Sequence, residues 1–68
     1  MNRNRVRELR QARGVSLRVM ARRLGMDPTH LSRLERGTRR CSWELMVAIA
    51  RFLDLPVEVV FLPEEEEW

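Results

Sequence analysis

The stretch L-R-V-M-A-R-R-L-G-M-D-P-T-H-L-S-R-L-E-R, residues 17–36, limits what this chain can fold into more than any other part. Leu17, Met20, Ala21 and Leu24 fall at i, i+3, i+4 and i+7, the apolar stripe of a helix. Ser16 stands before them as a good N-cap, and Gly25 stops the helix. Asp27 and Pro28 open the next one, with the aspartate as N-cap and the proline at the first helical position, where its missing N–H costs nothing. Leu31 and Leu34 form the inner stripe of that helix, and Gly37 closes it. Ala21 sits where the two helices must approach most closely, so a larger side chain there would hold them apart. Gly25 sits where the backbone must turn, at a positive φ that glycine tolerates without strain. Met20, Leu24, Met26, Leu31 and Leu34 supply the apolar atoms that would fix the second helix at a steep angle to the first.

The flanks continue the pattern. Arg3 to Arg13 carries Val6, Leu9 and Ala12 three residues apart, and Gly14 follows as a C-terminal stop. Ser42 caps a fourth helix in which Met46, Ile49, Ala50 and Leu53 repeat the i, i+3, i+4, i+7 spacing. Pro56 opens a short fifth one holding Val57, Val60 and Phe61. The β-branched residues there also suit an extended strand, but a lone strand would have no partner. The expectation is an all-α domain of five helices over residues 1–63, with a helix-turn-helix formed by the second and third. Residues 64–68, four glutamates and Trp68, read as an acidic, disordered tail.

At 68 residues the chain holds one domain at most, and a core of this size has little stability to spare. No apolar run approaches the ~20 residues that span a bilayer. The basic start Met1-Asn2-Arg3-Asn4-Arg5 has no apolar segment behind it and predicts no secretory signal. Cys41 is the single cysteine and His30 the single histidine, so neither an internal disulfide nor a zinc set is expected. Met20, Met26 and Met46 read as core filler, not as a soft-ligand site. These features place the chain in the cytoplasm without metal or other cofactor.

Charge says more. Residues 1–40 hold twelve of the thirteen arginines against Glu8, Asp27 and Glu35, a balance of +9. Residues 41–68 hold Arg51 against seven acidic groups, a balance of −6. The net +3 thus hides a basic region of the kind that binds polyanions, although a merely solvated arginine surface has the same composition. No paired carboxylates or glycine-rich phosphate loop accompany His30 and Ser32, so an enzyme is not expected.

Taken together, L-R-Q-A-R-G-V-S, M-A-R-R-L-G-M, L-S-R-L-E-R-G and A-R-F-L-D-L make the chain resemble the Cro/cI repressor family, the Xre-type or λ-repressor-like DNA-binding domains, from about Val6 to Leu55. The resemblance implies a five-helix fold, a recognition helix at about residues 28–36 laid in the major groove, and a homodimer on a two-fold operator. It implies a transcriptional regulator, most readily a repressor, of bacterial or phage origin, located with the nucleoid. The alternative is an antitoxin or adaptor that uses the same fold to bind a protein.

The resemblance also sorts the arginines. Arg10 in the first helix matches a position that pairs with the glutamate ending the third, here Glu35, and the two are expected to form a structural salt bridge. Leu31, Leu34 and Glu35 turn inward, which leaves Thr29, Ser32, Arg33 and Arg36 facing outward. Arg33 is the first candidate for reading a base, because a guanidinium bonds guanine O6 and N7 bidentately. Thr29, His30 and Ser32 join it, and Pro28 can offer only a shape or methyl contact. Arg18, Arg36, Arg39 and Arg40 are the candidates for phosphate. The family usually opens its second helix with a phosphate-binding glutamine, and this chain has Leu17 there, so Arg18 is not a carried-over assignment. Trp43, Val57, Val60, Phe61 and Leu62 exceed what one small core needs and are candidates for a dimer interface; completion of the monomer core is the other reading. Double-stranded DNA and a second copy are the expected partners, with no membrane and no small-molecule ligand.

Overall fold

A computed structural model describes residues 4–38 and 40–61. Five helices follow one another: α1 Val6–Ala12, α2 Leu17–Leu24, α3 Pro28–Glu35, α4 Trp43–Leu53 and α5 Val57–Val60. There is no strand among the described residues, so the segment after Pro56 takes the helical alternative.

The starts of α2, α3 and α4 are set by short polar side chains. Ser16 Oγ accepts from Val19 N at 3.1 Å, Asp27 Oδ1 from Thr29 N at 2.7 Å, and Ser42 Oγ from Leu45 N at 3.2 Å. Each satisfies one of the donors that a helix leaves open at its first turn. The first helix departs from expectation, beginning at Val6 and not Arg3. Asn4 Oδ1 takes the Val6 N–H at 3.1 Å, and Arg5 N donates out of the helix to Val60 O at 2.8 Å.

The first four helices end alike. At the end of α2, Met26 N donates to Ala21 O at 2.9 Å and Gly25 N to Arg22 O at 3.1 Å, with Gly25 at φ +69°. This paired closure satisfies the last carbonyls and requires one residue in the left-handed region. Corresponding bonds close α1 and α3, with Gly14 and Gly37 at that position. They also close α4, where Asp54 adopts φ +60°. An aspartate tolerates that region better than most side chains.

A Cβ built at Gly25 would meet nothing within 4 Å. The penalty for a side chain there is therefore conformational alone. Gly25→Ala should cost ~1–2 kcal/mol in denaturant unfolding, with the slope unchanged. An unaltered midpoint would mean that the turn does not depend on the left-handed residue.

The core is small and continuous. Val6, Met20, Ala21, Leu31, Leu34, Ile49, Ala50, Leu53, Val60 and Phe61 are buried, so every helix contributes to it. Leu24, Met26, Leu45, Met46 and Phe52 pack half-buried around them. Ala21 is fully buried between α2 and α3, where its single methyl group lets the helices approach. Asn4 adds a polar tie at the edge, its Nδ2 donating to Leu34 O at 3.0 Å. That bond joins the segment before α1 to the last turn of α3.

Candidate nucleic-acid interface

The two faces of α3 differ sharply. Leu31 and Leu34 are buried against α2 and the core, while Pro28, Thr29, Arg33 and Arg36 are exposed and Ser32 is half-buried. Thr29, Arg33 and Arg36 follow at intervals of four and three, so they form one stripe along the outer surface of the helix. His30 stands to the side of that stripe. It is half-buried and lines a cleft of about 520 Å³ with Met26, Asp27, Leu34, Arg40 and Leu45. The structure thus brings Thr29, Ser32, Arg33 and Arg36 together and sets His30 toward the loop before α4. Thr38, which no sequence pattern singles out, ties off the helix end by donating from Oγ1 to Arg33 O at 3.1 Å.

One buried ion cluster fixes the inner side. Arg10 Nε donates to Glu35 Oε2 at 2.7 Å and Arg10 Nη2 to Glu35 Oε1 at 3.2 Å, a two-point grip. Arg10 Nη1 reaches Val15 O at 2.9 Å, and Arg7 Nε adds a longer bond to Glu35 at 3.4 Å. The Glu35 side chain is 1% exposed. A carboxylate at a helix C-terminus opposes the dipole, and here two guanidinium groups offset it. Arg7 is the part of this cluster that the sequence did not indicate.

The cluster has an electrostatic consequence for the outer side. In residues 17–38 and 40 the only acidic groups are Asp27 and Glu35. Asp27 is engaged by a helix N-terminus and Glu35 by Arg10 and Arg7. Among the described residues, ion pairs involve Arg5, Arg7 and Arg10 and none of Arg18, Arg22, Arg23, Arg33, Arg36 or Arg40. Those six arginines are exposed. A helix-turn-helix whose two acids are engaged by its own fold, and whose outer guanidinium groups have no acidic partner among the described residues, is built to meet a polyanion.

The chain belongs to the helix-turn-helix domain family. The model of that family, described as "Helix-turn-helix domain", matches residues 3–60. A protein of Sinorhizobium fredii named as an uncharacterized HTH-type transcriptional regulator is 37% identical over 60 residues, covering 88% of this chain and 30% of its own length. A similarly named protein of Mycobacterium tuberculosis is 35% identical over 57 residues, covering 84% of this chain and 41% of its own. The chain therefore spans well under half the length of these relatives.

The candidates for a dimer interface divide. Trp43 is 65% exposed and Val57 is half-buried. Val60 and Phe61 are buried at 0% and 8% exposure, so for them the core reading holds and the interface reading does not. Their apolar side chains join the core cluster, and the Arg5–Val60 backbone bond ties α5 to the start of α1. Arg39, Leu62 and the acidic tail at 64–68 lie outside the described residues. Cys41 is half-buried, and burial pushes its thiol up to about 11, which keeps it protonated near neutral pH. No helix among the described residues is long and apolar enough to cross a membrane.

Proposed function

We propose that this helix-turn-helix binds duplex DNA in a sequence-specific way, as the DNA-binding part of a bacterial or phage transcriptional regulator. The observation that carries this reading is the outer face of α3 and its surroundings, where exposed arginines stand without acidic partners among the described residues. The names of the relatives support it. In this reading the chain acts beside the nucleoid in the cytoplasm, is not an enzyme and needs no cofactor. It is a repressor of the Cro/cI, Xre-like type, which occupies an operator as a homodimer with half-sites ~34–36 Å apart.

In this arrangement α3 enters the major groove by its N-terminal end. Arg33 bonds a guanine edge, and Thr29 and Ser32 contact neighbouring bases or thymine methyl groups. Pro28 contributes shape, and His30 lies along the groove wall from its place in the cleft. Arg18, Arg36 and Arg40 hold phosphates on either side, with Arg39 assigned to the same role. Leu17 offers no polar atom at the start of α2, so anchoring there falls to Arg18 and to backbone N–H groups.

Two variants separate reading from holding. Arg33→Ala should cost ~1–3 kcal/mol on the selected site and relax preference at one base pair. Arg36→Ala should weaken selected and random duplexes alike. Equal loss on both duplexes for the Arg33 change would remove it from base reading. An antitoxin or adaptor that uses the fold only to bind protein would show no duplex affinity for either change to affect.

A further inference from the structure

Among the described residues, none packs over the outer face of α4. Trp43, Glu44, Ala48 and Arg51 are exposed, and Val47 and Phe52 are half-buried. With Arg23 and Leu24 from the end of α2, residues Glu44 to Phe52 of this face line an open groove of about 520 Å³. Leu24, Val47, Ala48 and Phe52 make its floor apolar, and Trp43, an aromatic of the kind that anchors interfaces, is exposed at the start of the same helix.

The charges on this face are arranged reciprocally. Glu44 and Arg51 are seven residues apart, two helical turns, and so lie on one stripe with Val47 and Ala48 midway between them. We propose that a second copy of this chain covers the groove, with the two α4 helices antiparallel about a two-fold axis beside Val47 and Ala48. The proposal rests on the homodimer reading above and names its surface. An antiparallel pair brings Glu44 level with the partner's Arg51, and by symmetry does so twice. A parallel pair would set Glu44 beside Glu44 and Arg51 beside Arg51, which repel. The small side chains at the centre let the helix axes approach to ~8–10 Å. Trp43 then closes the edge of the contact as its largest apolar group. A helix of eleven residues is ~16 Å long. The contact is therefore small, and the dimer dissociates in the micromolar range or above.

Sedimentation of the full chain from about 1 µM to about 1 mM, the range in which small interfaces dissociate, tests this. The wild type should pass from monomer to dimer. Glu44→Arg and Arg51→Glu, each alone, should raise the dissociation constant at least ~10-fold through like-charge contact. The double variant should return to within about threefold of wild type. Each change also places the wrong charge at a helix end, and the double variant carries both of those penalties. Rescue therefore reports the contact between copies and not monomer stability, which thermal melts of all three variants would check. A dimer indifferent to the single changes would overturn the α4 face while leaving the homodimer reading standing. A wild type that remains monomeric at every concentration, free and on duplex DNA, would overturn both.

Discussion

Arg10→Met should lower the thermal unfolding midpoint by ~12 °C or more, whereas Arg22→Ala should leave it nearly unchanged. The Arg10 guanidinium makes two bonds to Glu35 and one to Val15 O, and Glu35 is almost fully enclosed. Removing one partner of a buried pair strands the other charge, at ~3–5 kcal/mol. A domain of this length has about 3–10 kcal/mol in total, so the loss takes a large share of it. Each kcal/mol moves the midpoint of so small a domain by ~4–8 °C. Arg7 reaches Glu35 at 3.4 Å from an exposed position and cannot replace the two-point grip. Arg22 is exposed, and changes of that kind stay within ~0.5 kcal/mol. The double variant Arg10→Met, Glu35→Leu should recover much of the stability, because it removes the stranded charge with its partner. A double variant as unstable as the single one would contradict this account of the pair.

Leu31→Ala should cost ~2–5 kcal/mol in chemical denaturation. Leu31 is fully buried on the inner stripe of α3, and truncation leaves a cavity between α3, α2 and the core. Thr29→Ala, two residues away on the outer stripe, should cost under ~0.5 kcal/mol. The contrast matters for function, because the inner stripe supplies stability and the outer one supplies contact with DNA. Under conditions where Leu31→Ala is still folded, its affinity for duplex should stay within a few-fold of wild type. Thr29→Ala should lower affinity without touching stability. Equal stability loss from both would mean that α3 does not have the one-sided burial described.

The local features were legible in the sequence because their causes are local. Ser16, Asp27 and Ser42 cap helices through side-chain oxygens that reach N–H groups two or three residues ahead, and spacing alone reveals them. Gly25 and Gly37 mark helix ends for the same reason. Asp54 ends α4 in the conformation that glycine usually takes, so its role showed only in the backbone. Contacts between distant segments were harder to see. Asn4 on Leu34 O and Arg7 on Glu35 span 30 and 28 residues, and nothing in their neighbourhoods announces them. Val60 and Phe61 suit core and interface equally in the sequence, because apolar surplus cannot be divided between the two from composition. Packing of α5 into the core makes that division. His30 is a similar case, since its half-buried place in a cleft shared with Arg40 and Leu45 depends on contacts beyond its own helix. Trp43 differs from both, because its exposure at the start of α4 leaves it free for a partner.

The central claim is that the arginine face around α3 docks on duplex DNA. It is tested most directly by measuring affinity for a duplex selected from a random pool, at about 50 and 200 mM salt. Four phosphate contacts, from Arg18, Arg36, Arg39 and Arg40, predict a fall of ~100-fold or more over that range as condensed counterions are released. The selected duplexes should share a consensus. Affinity that does not change with salt, or a pool that yields no consensus, would contradict the claim.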